Sequence, residues 1–165
     1  MSTSSTNSRG ETQIVADPTL PTIVITREFD APPESVFRAH TEPELVAQWL
    51  GPRDITMQIG TWDARTGGSY RYAARRDGKE VASFYGSFHE LRPTERIVQT
   101  FTFVGAPDDV VLETFAFEDL GGRTRLVVTS VGESLEARDA MLASGMERGV
   151  REGYERLDDL LSRTT

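Results

Sequence analysis

Apolar and polar positions change rhythm twice along this chain. The first strongly patterned run, Thr22-Ile23-Val24-Ile25-Thr26-Arg27-Glu28-Phe29, is β-branched and reads as a strand closed by Asp30-Ala31-Pro32-Pro33. Proline fits the first turn of a helix, so Pro32 or Pro33 opens a short helix through Val36, Phe37 and Ala39. A second short helix follows from Thr41-Glu42-Pro43-Glu44, which has the spacing of a capping box. Leu45, Val46, Trp49 and Leu50 form its apolar side and Gly51-Pro52 stops it. The pattern then alternates in six runs, 55–64, 69–75, 81–91, 97–104, 110–117 and 124–131, separated by glycine- and proline-bearing turns such as Gly67-Gly68, Arg92-Pro93 and Gly121-Gly122. Period-two spacing places Tyr70 with Tyr72, Phe84 with Phe88, Phe101 with Phe103, and Phe115 with Phe117 on one face of each strand.

After residue 135 the period becomes helical: Leu142, Met146, Val150, Tyr154, Leu157, Leu160 and Leu161 share one face of a long helix over 136–162. Gly145, Gly149 and Gly153 recur at every fourth residue of it, each at a cost of roughly 1 kcal/mol relative to alanine. A helix flank without side chains either lets the backbone press close against its neighbour or leaves room for a guest molecule, and the second alternative favours a binding function. The order strand, two short helices, six strands, long helix predicts an α+β fold. An antiparallel sheet of about seven strands curls around the terminal helix, its one apolar face covered by it.

Residues 1–20 are mostly Ser, Thr, Asn and charge and read as a mobile tail, leaving a single domain over 21–163. The net charge of −8 disfavours nucleic acid as a partner. No cysteine is present, which removes disulfides, thiolate metal sites and a cysteine nucleophile, and fits a reducing cytoplasm. No run approaches the roughly 18 apolar residues of a membrane helix and no signal peptide opens the chain, so membrane insertion is not expected and the location expected is cytoplasmic.

Several motifs then occur in a fixed order: Phe29-Asp30-Ala31-Pro32 leading to Val36-Phe37; Thr41-Glu42-Pro43-Glu44 with Trp49-Leu50-Gly51-Pro52; Asp63-Ala64-Arg65-Thr66-Gly67-Gly68; Leu91-Arg92-Pro93-Thr94-Glu95-Arg96; and Gly145-Met146-Glu147-Arg148-Gly149 with Arg156-Leu157. Together they resemble the Hsp90-ATPase-activator-homologue family of the START-like, or SRPBCC, superfamily, whose birch-pollen-allergen-like fold is the helix grip. The resemblance implies a cavity for a hydrophobic or amphipathic small molecule, lipid-like compounds among them, and no shared catalytic residues. The family name adds a protein partner such as a chaperone, with a link to stress response, as an alternative.

The ligand-contact set expected from the pattern is Trp49, Tyr70, Tyr72, Phe84, Phe88 and Phe101, with Phe103, Phe115 and Phe117. Met146, Gly149, Val150 and Gly153 face it from the helix. Buried tyrosines bring hydroxyls that need partners, and a few polar groups within an apolar lining describe a ligand pocket. His40, Glu90 and Glu113 are the candidate polar groups: His40 follows a short helix, while both carboxylates share parity with inward aromatic residues. A buried carboxyl there would titrate high and could serve acid–base chemistry of a cyclase or hydratase kind. Against that, Glu90 has Arg92 and Arg96 as nearby partners, and neither histidine has metal-ligand spacing to another ligand. No metal or cofactor is expected. Asp63 and Arg65 read as an ion pair tying the Gly67-Gly68 turn.

Overall fold

Alternation along one strand sets the inside of the molecule: Ile23, Ile25, Arg27 and Phe29 of β2 (Thr22–Phe29) are buried. In the computed structural model, which describes residues 10–164, β2 is preceded by β1 (Gln13–Ala16) and followed by α1 (Pro33–Thr41) and α2 (Pro43–Trp49). Six strands come next: β3 (Thr56–Trp62), β4 (Ser69–Arg76), β5 (Lys79–Arg92), β6 (Arg96–Phe103), β7 (Val111–Asp119) and β8 (Thr124–Val131). The chain closes with α3 (Leu135–Ala143) and α4 (Met146–Thr164).

The strands form one antiparallel sheet of eight in the order β1-β2-β8-β7-β6-β5-β4-β3. Strands β3 to β8 are a simple meander, while β2 joins β8 at the far side. The segment from β2 to β3 must therefore cross between distant strands, and α1 and α2 lie on that crossing. They close one end of the concave face: Phe37 packs edge-on against Phe117 at 5.3 Å, and the Trp62 indole N–H donates to the Thr41 carbonyl at 2.8 Å. The curved sheet, the paired short helices and the long carboxy-terminal helix together are a helix-grip α+β fold.

The sequence reading placed residues 1–20 in a tail. Of these, Gln13–Ala16 form the edge strand, paired with β2 through Ile14↔Ile25 and Val15↔Val24. The turn that folds it back is built by Asp17, whose carboxylate accepts from the Thr19 and Leu20 amides at 2.8 Å each. Residues 1–9 lie outside the described residues.

The single helix expected over 136–162 is two helices. Gly145 sits at φ +86°, a left-handed conformation that ends α3 and turns the chain into α4. Ser134 caps α3 by accepting from the Ala137 amide at 3.0 Å. The capping box expected at Thr41 does not form: Thr41 ends α1 with its hydroxyl on the Phe37 carbonyl, and α2 begins after Glu42 with no side-chain cap.

Helix α4 lies against the loop that leaves α2. A Cβ at Gly153 would stand 3.3 Å from the Gly51 nitrogen and from the Trp49 carbonyl oxygen, and one at Gly149 would stand 3.4 Å from Pro52 Cδ. Arg156 adds hydrogen bonds to the Gln48, Gly51 and Pro52 carbonyls at 3.1, 3.3 and 3.3 Å. The flank of the helix is smooth because backbone occupies the space beside it, the first of the two alternatives. Gly153→Val should therefore lower the urea-unfolding free energy by about 2 kcal/mol, as overpacking against backbone does. Unchanged stability would contradict this seat.

Candidate functional site

All eight aromatic residues singled out on the strands lie on the concave face, as their parity predicts. Cross-strand pairing aligns Tyr72 with Phe84, Tyr70 with Gly86, and Phe88 with Gln99. Ring contacts then run Trp62–Tyr70 at 5.6 Å, Tyr70–Phe88 at 5.2 Å, Tyr72–Phe84 at 5.1 Å and Phe84–Phe101 at 5.3 Å. Gly86 lets Tyr70 cross β5: an added Cβ would lie 2.6 Å from the Tyr70 hydroxyl, which itself donates to the Thr100 carbonyl at 2.6 Å.

The face has a closed end and an open one. Trp49, Tyr70, Phe88 and Phe117 are buried at or near the end covered by α1 and α2. Trp49 joins those helices, its indole N–H donating to the Ala39 carbonyl at 2.9 Å while the ring stacks on Tyr154 at 6.0 Å. At the other end Phe84 and Phe101 are half-buried and Phe103 is exposed, while Phe115, half-buried, lies on the closed side near His40 of α1. Arg138 anchors α3 to the start of β2 through the Leu20 and Thr22 carbonyls. Arg148 anchors α4 to Asp54, which Arg76 of β4 also engages. These anchors stand on opposite sides of the sheet, so the α3–α4 junction bridges the ends of β7, β6 and β5. Met141, Leu142, Met146 and Val150 of that junction are half-buried against the core.

Between the two ends stands Glu113. Its neighbours on the face are Gln99 of β6 and Ser130 of β8, each directly opposite in register. The Gln99 amide donates to Glu113 Oε1 at 2.9 Å and reaches the Tyr70 hydroxyl at 3.4 Å. Burial pushes the Glu113 carboxyl up to about 7, and the Gln99 hydrogen bond only partly opposes it. Tyr70, Tyr72 and Tyr154 are held above their ordinary phenol value, first by burial and then by the Glu113 charge. Among the described residues neither the Tyr72 nor the Tyr154 hydroxyl has a hydrogen-bond partner in the protein.

The other candidate polar groups fall elsewhere. His40, in the last turn of α1, is buried, at 4.9 Å from Trp49, 5.4 Å from Phe117 and 5.8 Å from Phe115. Its Nδ1 bonds to the Val36 carbonyl at 2.8 Å, its Nε2 is buried without a partner, and burial lowers its pKa to about 4. Glu90 does not face inward. A bulge between Phe88 and Glu90 inserts one residue into β5, so Glu90 pairs with Val98 on the outer face and meets Arg92 at 3.1 Å and Arg96 at 3.9 Å. Asp63 and Arg65 form the expected exposed ion pair at 2.8 Å.

Two concavities stand out on the molecule, and neither lies between the aromatic face and α4. One of about 60 Å³ is bounded by Ser35, Arg38, Leu45 and Leu160. The other, of about 360 Å³, is polar and bounded by Arg27, Glu28, Arg123 and Asp158. Gly149 and Gly153 face the α2–β3 loop rather than an open space. Among the described residues no group of three or more His, Cys, Asp or Glu is placed to hold a metal ion, and no helix is long and apolar enough to cross a membrane.

The grip with its aromatic trough is that of a START-like protein. The family model described as "Activator of Hsp90 ATPase homolog 1-like protein" matches residues 30–162, and the chain belongs to this family. A crystal structure of a Rhodobacter sphaeroides protein is similar at 27% identity and TM-score 0.83, covering 93% of this chain and 99% of its own. A solution structure from Arthrobacter aurescens has 28% identity and TM-score 0.83 over 92% of this chain and 91% of its own. A Chromobacterium violaceum crystal structure has 30% identity and TM-score 0.73 over 85% and 96%. No curated protein matches the chain.

Two buried titrations give opposite pH signatures. For Glu113, raised from 4.5 to about 7, the unfolded chain loses its proton first, so stability falls as pH rises through that interval. For His40, lowered from 6.5 to about 4, the unfolded chain gains its proton first, so stability falls as pH drops through that interval. Glu113→Gln should match the parent near about pH 4 and exceed it by up to about 3 kcal/mol at about pH 8, read by urea unfolding. An equal difference at both pH values would contradict a buried carboxyl.

Proposed function

We propose that this chain binds a small molecule with an apolar body and one polar group, held between the concave sheet face and the α3–α4 junction. The observation that carries the reading is Glu113: a carboxyl with a single protein donor, on an aromatic wall, beside two tyrosine hydroxyls that lack protein partners. Unmet polar groups within an apolar lining are what a ligand completes. Entry would be at the end where Phe84, Phe101, Met141 and Met146 are only partly buried, since thioether side chains adapt their shape at little cost. The ligand-contact set therefore narrows to Tyr72, Phe84, Phe101, Phe103, Phe115, Met146 and Val150, with Glu113 and Gln99 as the polar floor.

Acid–base chemistry is a second reading, favoured by a carboxyl that titrates at about 7. Ser130 stands opposite the carboxyl in register, but recognition alone accounts for the same groups. Action on a chaperone rests on the family description alone.

The neutral dye N-phenyl-1-naphthylamine provides the test. Saturable fluorescence enhancement is expected, weakened at least about tenfold in Met146→Trp, whose ring overfills the open end. Circular dichroism checks that the variant folds. Absence of saturable uptake, or equal uptake by the folded variant, would overturn the reading.

A further inference from the structure

Among the described residues no cation faces Glu113. The groups the structure relates to it are Gln99 on β6 and Ser130 on β8, opposite it in register, Phe115 two residues along its own strand, and Tyr70 and Tyr72 on β4 and Tyr154 on α4, whose ionisation its charge disfavours. Among the described residues, Arg27 is the guanidinium on the same face of the sheet; it is taken by Asp158 at 2.5 and 3.2 Å and lies over the Phe29 ring at 4.9 Å. Arg138 is held by the Leu20 and Thr22 carbonyls and by Asp139. His40, against Phe115, is neutral because burial disfavours its charge.

We infer that the polar group of the ligand is an organic cation, an ammonium carried on an apolar body, seated against the Glu113 carboxylate and the surrounding aromatic rings. The inference rests on the binding reading above and specifies its ligand class. Two independent chemistries support it. An opposite charge within contact distance favours an ionised carboxylate, and here it would supply the compensation that no protein group provides. The rings of Tyr72, Phe84 and Phe101 form a continuous wall, with centroids 5.1 and 5.3 Å apart along it, and Tyr70 stacks on Tyr72 at 6.0 Å. Aromatic faces attract ammonium groups, quaternary ones included, most strongly where water is excluded. An anionic head group would meet the same carboxylate with the wrong sign, and a neutral one would leave its ionised form uncompensated.

The experiment compares decyltrimethylammonium, decan-1-ol and decanoate below their aggregation limits, each displacing N-phenyl-1-naphthylamine from the full chain. At about pH 8 the cation should bind at least about tenfold more tightly than the alcohol, and decanoate more weakly than either. The cation's advantage over the alcohol should shrink as pH falls below about 7 and Glu113 takes up its proton, whereas in Glu113→Gln the ratio of cation to alcohol affinity should be near one and independent of pH. Alcohol binding without a preference for the cation, or a preference that survives Glu113→Gln, would overturn the inference and leave the binding reading standing. Failure of all three compounds and of the dye would overturn both.

Discussion

The placement of α4 depends on backbone pressed against backbone. Gly149 and Gly153 bring the helix to within van der Waals distance of the Trp49–Pro52 segment, and Arg156 fixes that approach by donating to three of its carbonyls. Without side chains on this flank, the apolar stripe of α4 can turn fully toward the sheet. Tyr154, Leu157, Leu160 and Leu161 are buried there. The helix propensity lost at the two glycines, about 1 kcal/mol each, is offset by this packing. Because the seat is at the α2 side, the start of α4 is left to bridge the strand ends, and the trough is tight at one end and loose at the other.

That asymmetry separates two polar groups of the interior, one buried and one half-buried. His40 is locked in an aromatic nest, with its Nδ1 on the Val36 carbonyl, and its neutrality is a structural consequence of burial. Glu113 lies midway along the trough among groups with hydrogen-bonding capacity to spare. An ionised carboxyl there costs the free protein stability, a cost that a partner arriving from outside would offset. The pH signatures of the two residues oppose each other between about 4.5 and 6.5, so the parent protein alone would show a flat profile that hides both.

Strand parity made the aromatic wall legible before any coordinates, because period-two alternation survives as long as the register does. Glu113 was legible on the same ground, two residues from Phe115. For Glu90 parity alone allows an inward position, but the alternative, pairing with Arg92 and Arg96, is the one the structure has; parity cannot count through a bulge, and the inserted residue at His89 carries no local mark. Gln99 was passed over although it shares parity with Ile97 and Phe101, since an amide among apolar residues gives no sign of its partner until β6 is aligned with β7. The glycine repeat reads equally as close packing or as room for a guest, and the guest reading, which put Gly149 and Gly153 in the ligand-contact set, is not the one the structure has; the partner, a loop about a hundred residues earlier, is not readable from sequence, nor is the positive φ that makes Gly145 a break. Strand β1 is short and sparsely apolar, and its Asp17-Pro18 turn was the one signal that tied it to β2.

Methionine methyl NMR tests the central claim most directly, because Met141 and Met146 line the loose end while Met57 touches Gly51 beneath the glycine seat. On titration with N-phenyl-1-naphthylamine, the Met141 and Met146 methyl resonances should shift together and saturate while that of Met57 stays in place. A response centred on Met57, or no response at any of the three, would contradict a trough that is sealed at the seat and open at the α3–α4 junction.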